Sequence, residues 1–425
     1  MNFRPFARNS ISGRNANESE ETFHTFQTSS KTMKILQIVP SISLVYGGPS
    51  QMVLGLSSAL AELGIEVTIA TTNSNGDVGQ APLNVPLGTP IAQNGYEILY
   101  FRCSPFRRYK FSIDLLHWLA NSAQNYDLAH IHALFSPVSS CSAAIARSRQ
   151  LPYILRPLGT LDPADLQKKH HLKRLYAAVL ERPNLSGAAA VHFTSDQEAK
   201  TSERFNTLTR DLVIPLGVSL QASGSSSIRA KFGIPEEKPV LLFMSRIDPK
   251  KGLDLLLPAL ENLDRDFHFV LAGGNPQDPG YETKIRDRIQ SSPLQDKTSI
   301  VGFITGNEKT ALLQAADLFV LPSYYENFGI AVAEAMSVGT PVVISDQVHI
   351  WQEIERSQSG WICRCDVESL TQTLKAAIHD RAERLRRGKN AQTHAQTHYS
   401  WSAIAQQMIT AYREIQGANS KSANP

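Results

Sequence analysis

Two carboxylates, Glu326 and Glu334, stand eight positions apart in the stretch ENFGIAVAEAMSVGTPVV, around the expected start of a helix near Gly329. The first amides of that helix, around Phe328 to Ile330, have no intrahelical acceptor. With the helix dipole they make a site for an anion. Gly329 lets a ligand come close to the backbone. A carboxylate touching phosphate would be repelled, so the two acids are better suited to accept hydrogen bonds from hydroxyls. In SRIDPKKGLD, Arg246 closes a buried strand and Lys251 follows in the next loop or first helical turn. Both should lie on the same C-terminal rim as Glu326. A fixed guanidinium fork and a mobile ammonium suit a diphosphate. A ligand with phosphates between two hydroxyl-rich ends, a sugar nucleotide, would use all four side chains. The alternative is a helix start decorated with acids, beside a solvated strand–helix loop.

Other candidates lie earlier in the chain. YGGPSQMV places Gly47 and Gly48 before a helix, without the full glycine spacing of a dinucleotide-binding turn. This is either a ligand-approaching loop or a tight turn. His130 and His132 in AHIHALFSP have strand spacing and share one face, with His132 nearer the strand end. Neither has metal partners at convincing spacing, and a satisfied core histidine is the alternative for each. Arg156 in LRPLGTLDP is a further candidate for lining a cleft. Cys363 and Cys365 read Cys-Arg-Cys, a spacing that suits neither a zinc knuckle nor a redox pair. No metal site is expected.

Elements that could position these residues alternate along the chain. KILQIVP, IEVTIAT, YEILYF, YDLAHIHAL, PYILRPLG and AAAVHFTS read as strands, separated by helical segments. Ser195 and Glu198 are placed as a capping box for one of those helices. A Ser- and Gly-rich stretch then interrupts the pattern. A second series follows: PVLLFMSR, FHFVLAGG, TSIVGFI, ADLFVLPS and PVVIS. Strands alternating with helices imply parallel sheets covered on both faces. Ligands of such sheets sit beyond the C-terminal strand ends, so a cleft between two facing domains is the natural site.

The expected organisation is a disordered extension or over-long start at 1–32, a first α/β domain at 33–218, a linker at 219–236 and a second α/β domain at 237–398. A C-terminal helix at 399–417 and a frayed tail at 418–425 complete it. Trp401, Ile404, Met408 and Tyr412 mark one face of that last helix. Pro258 falls inside the helix after Lys251 and should remove one backbone bond there.

The chain has 425 residues, more than one core usually carries. Its net charge of +3 is too small to argue for nucleic acid as a partner. No apolar run approaches the roughly 18 residues that suggest a membrane span. The basic segment LQKKHHLKRLYAAVL, 166–180, carries Leu172, Leu175 and Val179, and FRRYKF, 106–111, mixes aromatic and basic side chains. Each is a solvated face or a surface for an anionic membrane.

SRIDPKKGLD, VLAGG, VGFITGNEK and LPSYYENFGIAVAEAMSVGTPVV together closely resemble glycosyltransferase family 4, group 1. The resemblance runs from about Met33 to about Gly417 and is most specific in the C-terminal half. RPLGTLDP and DQVHIW resemble the subgroup of bacterial exopolysaccharide and lipopolysaccharide assembly. The resemblance implies a GT-B fold, two facing doubly wound Rossmann-like domains with the catalytic cleft between them. It also implies a retaining, cytoplasmic hexosyltransferase using a UDP- or GDP-sugar donor and a glycan acceptor, lipid-linked at the inner face of the membrane. By the same resemblance, Arg246 and Lys251 bind the diphosphate in place of a metal, and no cofactor is required. Glu334 holds the ribose, and Glu326 the donor sugar, helped by the backbone of Asn327, Phe328, Gly329 and Ile330. Gly302 and Phe303 line the base. His132 reaches the donor sugar, and Gly47 and Gly48 approach donor phosphate and acceptor. A sugar-nucleotide epimerase or phosphorylase-like enzyme on the same scaffold, or a non-catalytic glycan-binding protein, would carry much of the same pattern.

Overall fold

The computed structural model describes residues 32–76, 80–104, 110–163, 166, 170–219, 228–276 and 278–422. The N-terminal extension at 1–31, most of FRRYKF, and part of both the 166–180 segment and the linker lie outside the described residues.

Short β-branched and aromatic runs form two separate sheets. The first contains β1 (Lys34–Ile38), β2 (Glu66–Thr72), β3 (Ile91–Gln93), β4 (Tyr96–Phe101), β5 (Leu128–His132), β6 (Tyr153–Arg156), β7 (Ala190–Phe193) and β8 (Asp211–Val213). Their spatial order is β3-β4-β2-β1-β5-β6-β7-β8, all parallel except β3 against β4. The second contains β9 (Val240–Met244), β10 (His268–Ala272), β11 (Thr298–Gly302), β12 (Leu318–Leu321), β13 (Val342–Ser345) and β14 (Gly360–Cys363). It is parallel throughout, in the order β11-β10-β9-β12-β13-β14. The central strands are apolar on both faces, as β9 and β10 illustrate with every residue buried. That is the pattern of a parallel sheet covered by helices on both sides.

Each sheet has one point where the chain, having wound outward on one side, returns to the other. In the first it lies between β1 and β5, and in the second between β9 and β12. A crevice opens there beyond the strand ends. The loop after β1 carries Gly47, β5 ends at His132, the loop after β9 carries Arg246 and Lys251, and the loop after β12 carries Glu326. Topology alone therefore gathers the candidates at two crevices.

The two sheets' layers touch directly. A Cβ on Gly48, in the first turn of the Gly48–Glu62 helix, would lie 2.9 Å from Ile330 Cδ1. One on Gly159 would lie 2.2 Å from Asn327 Nδ2. The last helix, Trp401–Ser422, buries Ile404, Met408 and Tyr412 in the core of the first sheet. Its Trp401 ring covers Gly55 and Gly217 so closely that a Cβ on either would clash.

Two details differ from expectation. The last helix continues to Ser422 rather than stopping at Gly417. A glycine in a helix interior costs only about 1 kcal/mol, so it need not end the helix. The Leu253–Glu261 helix does contain Pro258, as the sequence implied. The Ser195 cap is made to Glu198 N–H, but Glu198 reaches one residue further back, to Thr194 N at 2.7 Å.

Candidate functional site

The donor-side crevice is built from loops fixed to one another through their backbones. Tyr324 N donates to Lys250 O at 2.8 Å, joining the loops after β12 and β9. Glu326 N donates to Gln347 O, and His349 N to Glu326 O, so Glu326 is pinned to the loop after β13. Gly252 is left-handed, with φ +73°, and a Cβ there would sit 2.0 Å from Pro322 O. Only glycine lets these loops close this tightly.

Within this frame the acids are paired. Lys251 Nζ lies 2.5 Å from Glu326 Oε2 and Lys309 Nζ 2.5 Å from Glu334 Oε1. The four side chains are largely shielded, while Arg246 projects into solvent with its Nε 3.7 Å from Asp248. Gly329 caps the Ile330–Ser337 helix in the left-handed region, with φ +79° and no side-chain cap. Val332 and Ala333 N–H turn back to Gly329 O, leaving the amides before them to point outward. Phe328 contributes backbone only, since its ring is buried edge-on against Tyr399 at 5.2 Å. Gly302 ends β11 with φ +74° and open space where a Cβ would go, and the Phe303 ring beside it is 82% exposed. The arrangement offers three cationic groups, a run of outward amides, two carboxylates and an exposed aromatic face along one rim.

On the opposing rim, Gly47 has φ +68° and leads into the Gly48–Glu62 helix without a side-chain cap. His132 is buried, stacked on His130 at 4.5 Å. Its Nε2 lies 2.7 Å from Gln37 Oε1, while its Nδ1 is buried with no partner. Burial and the nearby Arg156 guanidinium hold the His132 ring well below the ordinary histidine pKa, so it is neutral. Arg156 is itself buried, with Nη2 3.4 Å from Met52 Sδ, and desolvation lowers it to about 10. After His132 the chain enters the left-handed region at Ala133 and Phe135, a costly conformation for residues with a Cβ. Glu181 holds that turn by accepting from Phe135 N at 2.6 Å and from Ser140 Oγ at 2.7 Å.

Two family profiles match most of the chain. "Glycosyl transferase 4-like domain" covers residues 47–217, and "Glycosyl transferases group 1" covers 225–394. This chain belongs to the group 1 glycosyltransferases. It has the GT-B fold, and solved structures agree. Sucrose-phosphate synthase from Thermosynechococcus elongatus superposes with a TM-score of 0.72 at 24% identity, over 91% of this chain and 100% of that one. HepE of Anabaena, solved with UDP and glucose, gives 0.70 at 20% identity, over 90% and 100%. The D-inositol 3-phosphate glycosyltransferase of Xylanimonas cellulosilytica is 26% identical over 398 residues, 87% of this chain and 92% of that protein.

Around the candidate site lie further side chains that the sequence did not assign to it. Lys309 pairs with Glu334 across two helices. The Tyr325 hydroxyl bonds Asn327 Oδ1, and burial together with the Asp162 carboxylate pushes its pKa far up. Gln37 and Tyr412 lie behind His132. Cys363 and Cys365 direct their thiols at the Ile344 and Ser323 carbonyls, each at 3.4 Å. Among the described residues, no cluster of His, Cys, Asp or Glu is placed to hold a metal ion, and no helix is long and apolar enough to cross a membrane.

Proposed function

We propose that this glycosyltransferase is a retaining hexosyltransferase. It moves a hexose from a UDP- or GDP-linked donor to a lipid-linked glycan acceptor during surface-polysaccharide assembly. The observation that carries this reading is the pair of contacts Lys251–Glu326 and Lys309–Glu334, flanking one helix start. Carboxylates held by lysines keep their remaining lone pairs for hydroxyls, while the cations and the helix amides between them meet phosphate.

In this reading Arg246, Lys251 and the amides of Asn327 to Ile330 take the diphosphate. Glu334 accepts from the ribose hydroxyls, Glu326 from the hexose, and the base lies along Gly302 and Phe303. The bond from the anomeric carbon to the phosphate oxygen breaks, and its electron pair stays on the diphosphate. An acceptor oxygen bonds the same carbon from the same face, and its proton passes to the departing phosphate oxygen. Arg246 and Lys251 stabilise the charge that develops there, the role a metal would otherwise fill. His132 faces the hexose, and Gly47 and Gly48 leave room for phosphate and acceptor. The UDP held by HepE supports testing UDP-sugars first.

Leu172, Leu175 and Val179 are exposed on one basic helical segment, which supports contact with the inner membrane face where a lipid-linked acceptor resides. Replacing Lys173 and Arg174 by Gln should abolish binding to anionic vesicles; unchanged binding contradicts that contact. For the reaction, UDP-glucose, UDP-galactose and GDP-mannose are incubated with a bacterial lipid extract, and the product's anomeric configuration is read by NMR. Acceptor-dependent release of nucleoside diphosphate with retained configuration is expected. Inversion would refute retention. Acceptor-free conversion to another sugar nucleotide would replace the reading with an epimerase.

A further inference from the structure

Behind the rim of the first sheet, a run of buried side chains ends at His132, and its hydrogen bonds have only one consistent direction. The run begins at a backbone carbonyl. His192 Nε2 lies 2.8 Å from Ile214 O, and a carbonyl can only accept, so Nε2 carries the proton. Burial and Arg156 hold the pKa of His192 at about 3, so the ring is neutral and its Nδ1 is a bare lone pair. That lone pair faces His130 Nε2 at 3.3 Å, which must therefore donate. His130 is also neutral through burial, so its Nδ1 accepts, from the Tyr412 hydroxyl at 3.0 Å. Desolvation raises the phenol's pKa, which keeps that proton in place. The phenol oxygen in turn accepts from Gln37 Nε2 at 3.4 Å. This orients the Gln37 amide, and its Oε1 takes the Nε2–H of His132 at 2.7 Å. Nothing is left for His132 Nδ1, which is buried and unpartnered.

We infer that Gln37, Tyr412, His130 and His192 form a positioning relay that holds His132 as the Nε2–H tautomer, with Nδ1 presented as an acceptor for one ligand hydroxyl at the end of β5. That this hydroxyl belongs to the donor hexose rests on the proposed function. A carbonyl or phosphate oxygen at the same place would meet a lone pair and be refused, whereas a hydroxyl can donate. The relay also ties the C-terminal helix to the site, since Tyr412 comes from that helix and Gln37 from β1.

The test is spectroscopic and uses the full chain. Histidine is labelled with 15N, the ring nitrogens are correlated with their carbon-bound protons at pH 7, and His132 is assigned by His132→Gln. The expected spectrum has a protonated Nε2 and a bare Nδ1. Tyr412→Phe removes the donor to His130 and the acceptor for Gln37, so His132 should become a mixture of tautomers. Gln37→Leu should do the same by a route that leaves the C-terminal helix intact. Met408→Ala, a buried change on that helix outside the relay, should lower the melting temperature and leave the His132 signals in place. With UDP-glucose, Tyr412→Phe should lower kcat about tenfold, the worth of one hydrogen bond, with KM little changed. A wild-type His132 carrying its proton on Nδ1, or on both nitrogens, overturns the relay whatever the activity. So does an unchanged tautomer in Tyr412→Phe and Gln37→Leu. The expected tautomer with no turnover of any sugar nucleotide leaves the relay standing and counts against the proposed function alone.

Discussion

Lys251 pairs with Glu326 in the structure, and in the proposed mechanism it also meets phosphate. Lys251→Ala should therefore lower kcat/KM by about 10²–10³, as expected when a charge-stabilising donor is lost. Glu334→Gln should act differently. It weakens bonds to the ribose that are the same before and during reaction, so KM for the donor rises roughly tenfold while kcat holds. Steady-state kinetics separates the two, and equal effects on kcat would contradict the assignment. At this scale the sequence revealed the residues that sit in loops after buried strands, because strand ends are readable and loop side chains there have few other places to be. It did not reveal Lys309, which lies inside a helix and meets an acid twenty-five residues later. Nor did it reveal that His132 depends on Tyr412. The strand spacing of His130 and His132 was visible, but Gln37 and Tyr412 are separated by 375 residues and meet only through the fold.

The elements follow from local patterns wherever the strand is central. β1, β2, β5, β9, β10 and β12 are apolar runs with clear boundaries, and the sequence places them. β3, β8 and β14 are edge strands of three or four residues, too short to stand out from loops. The last helix showed its apolar face, but periodicity cannot say which domain that face covers. Loop closeness is an element-scale property with its own test. Gly252→Ala combines a left-handed backbone with a Cβ that would meet Pro322 O. It should destabilise by more than the roughly 1–3 kcal/mol of strain alone and pull Lys251 away from Glu326. Gly302→Ala carries only the strain, since the space beside it is open. Urea denaturation should rank Gly252→Ala well below Gly302→Ala; equal losses would mean that the two loops are not tightly coupled.

The whole molecule carries three neutral histidines in one buried run, His130, His132 and His192. Burial holds each folded pKa below the unfolded value, which for histidine is about 6.5. Unfolded chains then bind protons that the folded chain refuses, so stability is full above that value and is lost as pH falls beneath it. Each group contributes a slope of about 1.4 kcal/mol per pH unit, which for His192 continues down to about pH 3. Glu181 and Glu198, raised by burial, oppose this only nearer the carboxylate range. The urea midpoint should fall clearly between pH 7.5 and 5.5, and a constant midpoint would place protons on these rings. Binding of a nucleoside diphosphate sugar by the paired acids and cations around the Ile330 helix has a more direct test. Thermal unfolding is followed at fixed protein concentration with UDP, GDP, ADP and their sugars. A ligand at 100 times its Kd should stabilise the fold by about 2.7 kcal/mol. Tm should rise with one of UDP or GDP and its sugars, and Lys251→Ala should abolish the rise. No shift with any nucleotide, with or without lipid acceptor, would contradict that binding.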